Sequence, residues 1–113
     1  MLIEVLKSKI HRVTVTEADL DYIGSITIDE ALMEASGIIE NEKVEIYNIT
    51  NGERFATYAI RGERCTGVIG IIGAAAHKAP AGSLIIIAAY AQMTPEEARE
   101  WHPTVIFPKD NRV

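Results

Sequence analysis

Runs in which apolar and polar residues alternate, rich in Val, Ile and Thr, recur at short intervals and are cut apart by turn residues. Arg12 to Thr16 is the clearest, with Val13 and Val15 alternating with Thr14 and Thr16. A half-buried strand requires this period of two, because successive side chains point to opposite faces. Leu2 to Lys7, Ser25 to Ile28, Lys43 to Thr50, Glu53 to Ile60, Thr66 to Ile72, Ser83 to Ala91 and Thr104 to Phe107 read as further strands. Of these, Ser83 to Ala91 is apolar enough to be a fully buried central strand. Many short strands leave many edges, and closing the sheet on itself removes them, so a closed barrel is predicted.

The punctuation between strands is equally specific. Asn51-Gly52 is a strong hairpin signal, joining Lys43–Thr50 to Glu53–Ile60. Asp29 is a good N-cap for a helix from Glu30 to Ser36, which Gly37 ends in a left-handed conformation. Thr94-Pro95-Glu96-Glu97 places cap, first-turn proline and capping-box glutamate in register, so a short helix should run to about Trp101. Thr16 to Asp19 reads as a turn or short helix, and Pro80 to Gly82 as a turn. Gly73-Ala74-Ala75-Ala76-His77 either opens a short helix with free N–H groups or, the simpler reading, packs tightly. If the first strand continues through Lys9 and His11, those two side chains share a face.

With 113 residues the chain has room for one core and not two, so residues 1–113 are read as a single domain. A net charge of −5 argues against a general nucleic-acid partner, which would select a basic surface. Cys65 is the only cysteine, which excludes an internal disulfide, and it reads as an incidental half-buried thiol. The N-terminus lacks a signal-peptide pattern and no apolar run approaches a membrane span, so a cytoplasmic protein with no membrane partner is expected.

Three histidines and one cysteine show no metal-ligand spacing, and no Walker or dinucleotide glycine motif is present. A hydrolase pair of Ser25 with a histidine lacks the glycine pattern of a nucleophile elbow. Arg54 and Tyr58 share one face of their strand, with Cα atoms roughly 13 Å apart at about 3.3 Å per residue. An arginine can clamp a carboxylate through two parallel hydrogen bonds, and a tyrosine can lend a proton. In a random strand they would be a surface arginine and a structural tyrosine.

Four motifs, however, occur in one order: Lys9-Ile10-His11-Arg12, Tyr22-Ile23-Gly24-Ser25, Asn51-Gly52-Glu53-Arg54 through Thr57-Tyr58, and Gly73-Ala74-Ala75-Ala76-His77. Together, from Leu2 to about Phe107, the chain resembles the pyruvoyl-dependent aspartate 1-decarboxylase family. The resemblance implies a mainly β fold, a six-stranded double-psi β-barrel with short helices, assembled as a homotetramer with active sites between subunits. It also implies a lyase that converts L-aspartate to β-alanine and CO2 for pantothenate and coenzyme A biosynthesis. A maturation factor is among the partners such an enzyme can require.

Within that resemblance the chain is a zymogen. The Ser25 hydroxyl attacks the Gly24 carbonyl, turning the amide into an ester. Glycine crowds that carbonyl least and tolerates strained dihedrals. Elimination and hydrolysis then leave residues 1–24 and a 25–113 fragment that begins with a pyruvoyl group, the covalent cofactor. That group forms a Schiff base with the substrate amine and serves as electron sink. Thr57 matches the residue assisting self-processing, and it also lines the substrate site. Tyr58 matches the proton donor, and Arg54 the binder of the carboxylate that stays. Lys9, His11, Tyr22, Gly73, Ala74 and Ala75 match supporting or lining positions, and no metal is implied.

The chain departs from the family at one place. An asparagine usually precedes the Gly-Ala-Ala-Ala run, where this chain has Ile72. The rival expectation is therefore a processing-impaired or non-catalytic barrel of the same fold.

Overall fold

The computed structural model describes residues 1–21 and 23–113. β1 (Ile3–Thr14) merges the two expected N-terminal runs into one strand. Its antiparallel register against β7 (Leu84–Met93) shifts once between Leu6 and Ser8 and again between His11 and Val13. The second shift passes Arg12, whose φ is 72°. An extra residue at each shift bends the strand and lets it wrap. Between the shifts the alternation is strict, so Ser8 and Ile10 are buried while Lys9 and His11 share the outer face.

β2 (Glu17–Asp19) corrects the expected turn or short helix: it is a strand lying parallel to β6 (Ile69–Ile72). Thr16 explains the difference. Its N–H donates to the Ile69 carbonyl at 2.8 Å, and its hydroxyl oxygen accepts from the Ile69 N–H at 2.9 Å, which draws the following residues along β6. β3 (Ser25–Asp29) lies between β6, antiparallel, and β5 (Arg54–Gly62), parallel. β4 (Lys43–Asn48) joins β5 to β7, and β8 (Thr104–Ile106) runs parallel to β1.

The strand order is β2-β6-β3-β5-β4-β7-β1-β8. β1 runs on into β2 through Val15 and Thr16, whose backbones bond to Ser83 at 2.9 Å and to Ile69 at 2.8 Å. The order thus returns toward its start, giving a small, mainly β barrel in which six strands are longer than three residues. Its interior holds Ile10, Val13, Ile26, Ile28, Val44, Ile46, Ile69, Ile71, Ile85 and Ile87, all at or near zero exposure. Each such isoleucine contributes about 1.5–3 kcal/mol relative to an exposed one, an upper bound because the unfolded chain is already partly collapsed.

α1 (Glu30–Ser36) buries Leu32 and Met33, and Gly37 ends it at φ 77° as expected. Lys7 Nζ donates to the Gly37 carbonyl at 2.9 Å and to Glu42 at 2.7 Å, fastening the helix end to β1. α2 (Pro95–Glu100) carries the expected capping box between Thr94 and Glu97. β7 is central, but it is not buried on both faces: Leu84 and Ile86 are half-buried and Tyr90 is exposed, so its outer side borders solvent. Cys65 is exposed rather than half-buried.

Asp29 does more than cap α1. Its carboxylate accepts from the N–H groups of Ala31 and Gly67 at 2.8 Å and of Cys65 at 2.9 Å, with the residue 1% exposed. Burial raises its pKa, but the three donors, aided by the charge of Arg112, outweigh burial and hold it below 3.8. The folded chain therefore binds this proton more weakly than the unfolded chain does. The resulting stabilisation is complete above about pH 4 and is lost as pH falls through the lower folded value. Replacing Asp29 by Ala should cost about 2–4 kcal/mol, read as a lower urea midpoint. Asp29→Asn should flatten the acid limb of the stability profile.

Candidate active site

The β4–β5 hairpin determines what faces outward. A two-residue Asn51-Gly52 turn would set Tyr47 opposite Ala56, whereas Tyr47 pairs with Arg54, a shift of two residues. Asparagine side chains cause it. Asn48 accepts from the Thr50 N–H and Asn51 from the Glu53 N–H, each at 2.9 Å, while both amide groups donate to the Lys78 carbonyl. These local bonds open the loop to residues 49–53 and pin it to the segment after the alanine run.

Outward-facing residues then align in rows across four strands. One row is Arg54, Tyr47, Ile86 and His11, and the next is Ala56, Glu45, Ala88 and Lys9. Tyr58 lies opposite Lys43, on the same face one row further along. Arg54, Tyr58, Lys9 and His11 are therefore brought to one face, as alternation predicted for each pair. Thr57 pairs with Val44 and points the other way, half-buried.

The Arg54 guanidinium lies 4.7 Å above the centre of the Tyr47 ring. His11 meets Phe107 edge-on at 5.5 Å between ring centres, and its Nδ1 is buried without a partner among the described residues. Burial, then the charges of Lys9 and Arg12, hold the His11 pKa below 6.5. His11 is therefore mainly neutral at pH 7, able to accept a proton or a hydrogen bond.

Ser25 opens β3 at 7% exposure, directly opposite Ile72 on β6. With Ile23, Thr27 and Ile72 it lines an open pocket of about 380 Å³. β3 and β5 are parallel, with Ile26 level with Ala59. Counting back one residue sets Ser25 level with Tyr58, and counting back two sets Gly24 level with Thr57. A Cβ added to Gly24 would sit 3.7 Å from the Ile72 carbonyl oxygen, an ordinary contact. Gly24 is also not among the positive-φ glycines, so the expected need for strained dihedrals there is not met.

After Ile72 the chain turns at Gly73, with φ 87° and ψ −156°, and its N–H donates to the Asp19 carbonyl at 2.6 Å. A 3-10 helix, Ala74–His77, follows, so the alanine run does form a short helix and also packs Ala76 into the core. The N–H groups of Ala74 and Ala75 have no acceptor among the described residues. Tyr22 lies outside the described residues. No hydrogen bond joins Ser25 to a described histidine, which leaves the hydrolase pair without support.

Sequence reasoning missed Tyr47 and Tyr90, whose hydroxyls are 2.7 Å apart. Pairing Tyr47 with Arg54 required the hairpin register, and Tyr90 was hidden inside an apolar run.

The family model described as Aspartate decarboxylase matches residues 1–113. The aspartate 1-decarboxylase of Cytophaga hutchinsonii is 67% identical over 111 residues, covering 98% of this chain and 96% of that protein. That of Caldicellulosiruptor saccharolyticus is 61% identical over 111 residues, covering 98% and 87%. That of Parabacteroides distasonis is 62% identical over 108 residues, covering 96% and 93%. The chain belongs to the aspartate decarboxylase family.

The backbone at Gly73 lies in a region that residues with a Cβ essentially never occupy. Gly73→Ala must carry that strain or release the bond to Asp19, so a loss of about 1–3 kcal/mol is expected, read as a lower Tm. Ala74→Gly, a control that only loosens the helix, should cost about 1 kcal/mol or less.

Proposed function

We propose that this chain decarboxylates L-aspartate to β-alanine and CO2, after cutting itself between Gly24 and Ser25 to make its own pyruvoyl group. The observation that carries this reading is the placement of Gly24-Ser25 at the buried start of β3, level with Thr57 and Tyr58 on β5. Family membership and the names of the relatives support the same reaction.

The residues fit the formation of such a group. Ser25 supplies the hydroxyl and Gly24 the carbonyl that it attacks, and among the described residues only the Ile72 carbonyl lies within 4 Å of where a side chain on Gly24 would stand. Attack moves the acyl group from nitrogen to oxygen, and elimination then breaks the ester and frees residues 1–24. Hydrolysis releases ammonia and leaves 25–113 with a keto group at its start. Thr57, level with Gly24, is suited to assist the oxyanion that forms there. The pyruvoyl group, once formed, supplies the electron sink that loss of CO2 requires.

The remaining roles follow from charge and proton inventory. Arg54 holds the side-chain carboxylate of aspartate, because gripping the departing carboxylate would oppose its loss of charge. Tyr58 donates the proton that replaces CO2. Lys9 and neutral His11 flank the substrate from β1, on the same sheet face as Arg54, and the free N–H groups of Ala74 and Ala75 offer donors to its polar atoms. Tyr22 and Gly73 complete the lining. Arg54 and Lys9 stand on an open outer face, while Ser25 borders a separate pocket. This supports a homotetramer in which a neighbouring copy completes each site. In this reading the enzyme acts in the cytoplasm and serves pantothenate biosynthesis.

Intact mass spectrometry of the purified chain after prolonged incubation should show two fragments meeting between Gly24 and Ser25, the larger with a blocked N-terminus. Cleavage without added protein would make a maturation factor dispensable, and a lasting single species would sink the self-processing claim. Ser25→Ala should abolish both cleavage and β-alanine release.

Ile72 favours a second reading, slow or arrested processing, because its side chain stands opposite Ser25 where an amide could have served the reaction. Ile72→Asn should then raise the rate of cleavage or turnover several-fold. An unchanged rate in both assays would remove this reading.

A further inference from the structure

We propose that Tyr90 is a positioning residue: its hydroxyl anchors Tyr47, and the Tyr47 ring in turn holds the Arg54 guanidinium where it can meet a substrate carboxylate. The inference rests on the decarboxylase reading above.

Two contacts link three residues in a relay across β5, β4 and β7. Arg54 and Tyr47 are a direct cross-strand pair, with the guanidinium 4.7 Å from the ring centre. Such a contact is electrostatic and directional, since the cation sits over the negative face of the ring. It fixes Arg54 only if the ring itself is fixed. Tyr47 is half-buried, and its hydroxyl lies 2.7 Å from that of Tyr90. Tyr90 lies four residues beyond Ile86, the β7 partner of Tyr47, and so on the same face two rungs away. Between them that face carries Ala88, whose methyl group leaves room for Tyr47 to lean toward Tyr90.

The chemistry of the pair suits a mechanical task. Burial, then the hydrogen bond to Tyr90 and the nearby charges of Tyr90 and Glu45, push the Tyr47 hydroxyl up to about 12, with Arg54 opposing. Tyr47 thus stays a neutral phenol through the working range. Arg54 is exposed and forms no ion pair with any described residue, so the Tyr47 ring is the one contact seen to hold it. A long side chain otherwise loses rotamer freedom when it binds a ligand, which weakens binding without altering the chemical step.

Tyr90→Phe removes one oxygen atom and should fold normally. The expected result is a roughly three- to tenfold higher KM for aspartate, the effect of one lost hydrogen bond, with kcat within about twofold. Tyr47→Phe should match it, and the double variant should be no worse than either single one, because both remove the same bond. A second readout is independent of turnover: the rate at which phenylglyoxal labels Arg54, followed by peptide mapping, should rise in both variants. If either KM or the Arg54 labelling rate stays at the wild-type value, the proposal is overturned. Should the wild-type chain prove unable to release β-alanine, the decarboxylase reading fails, and with it the role in substrate binding. The labelling experiment then still decides whether Tyr90 holds Arg54.

Discussion

Asp29 is the only ionised side chain among the described residues that is buried, and the surrounding architecture is arranged to keep it so. Isolated, a carboxylate in such a place would cost several kcal/mol. Three backbone N–H groups, from α1 and from the loop before β6, meet it instead. Gly67, one of those donors, gives its own carbonyl to Asn111, whose amide also bonds both backbone groups of Thr14 at 2.7 and 2.8 Å. One carboxylate thus ties β3 and α1 to the loop before β6, and through Asn111 to the end of β1 and to the C-terminal tail. A shift of β3 by one residue would break all three bonds and turn Ile26 and Ile28 out of the core. The start of β3 is therefore held from its far end, and Ser25 is at that start.

β5 is the element that relates the two halves of the candidate site. Its first residues pair with β4 and carry Arg54 onto the outer face, and its later residues pair in parallel with β3. Tyr58 lies where these two pairings meet. The loop of residues 49–53 determines which β4 residue stands beside Arg54, so Asn48 at the end of β4 and Asn51 in the loop act on the site without touching it. Along a flat strand Arg54 and Tyr58 are too far apart to serve one small substrate.

Much of this was legible in the sequence where a local rule has one outcome. Asp29, Gly37 and the Thr94–Glu97 box each satisfy a helix end in only one way, and each stands where it was expected. Alternation set the faces of β4 correctly, because Val44, Ile46 and Asn48 are all buried. Long-range pairing was less legible. Glu17 to Asp19 has no strand pattern of its own, and it becomes one because Thr16 is bound to Ile69 more than fifty positions away. β7 looked uniformly buried because its outer residues are as apolar as its inner ones, and only its neighbours decide which side meets solvent. The tail after Phe107 is polar in sequence, yet Asn111 is buried among backbone groups that it hydrogen-bonds.

At Ile72 the backbone and the side chain play different parts. The antiparallel pairing of Ser25 with Ile72 is made by main-chain groups and is as well served by a β-branched residue as by an amide. The backbone geometry at Gly24-Ser25 therefore does not depend on which side chain stands at this position. The environment does, because the pocket that Ser25 shares with Ile23, Thr27 and Ile72 is lined mainly by carbon. An apolar side chain beside the serine hydroxyl offers it no competing side-chain hydrogen bond, which leaves the hydroxyl to backbone donors and water. Such donors exist immediately downstream: the N–H groups of Ala74 and Ala75 have no acceptor among the described residues. They come from backbone whose direction is set by the Gly73 turn, not by the side chain before it. Whatever side chain stands at position 72, the fold keeps this pair of backbone donors at the end of the strand opposite Ser25.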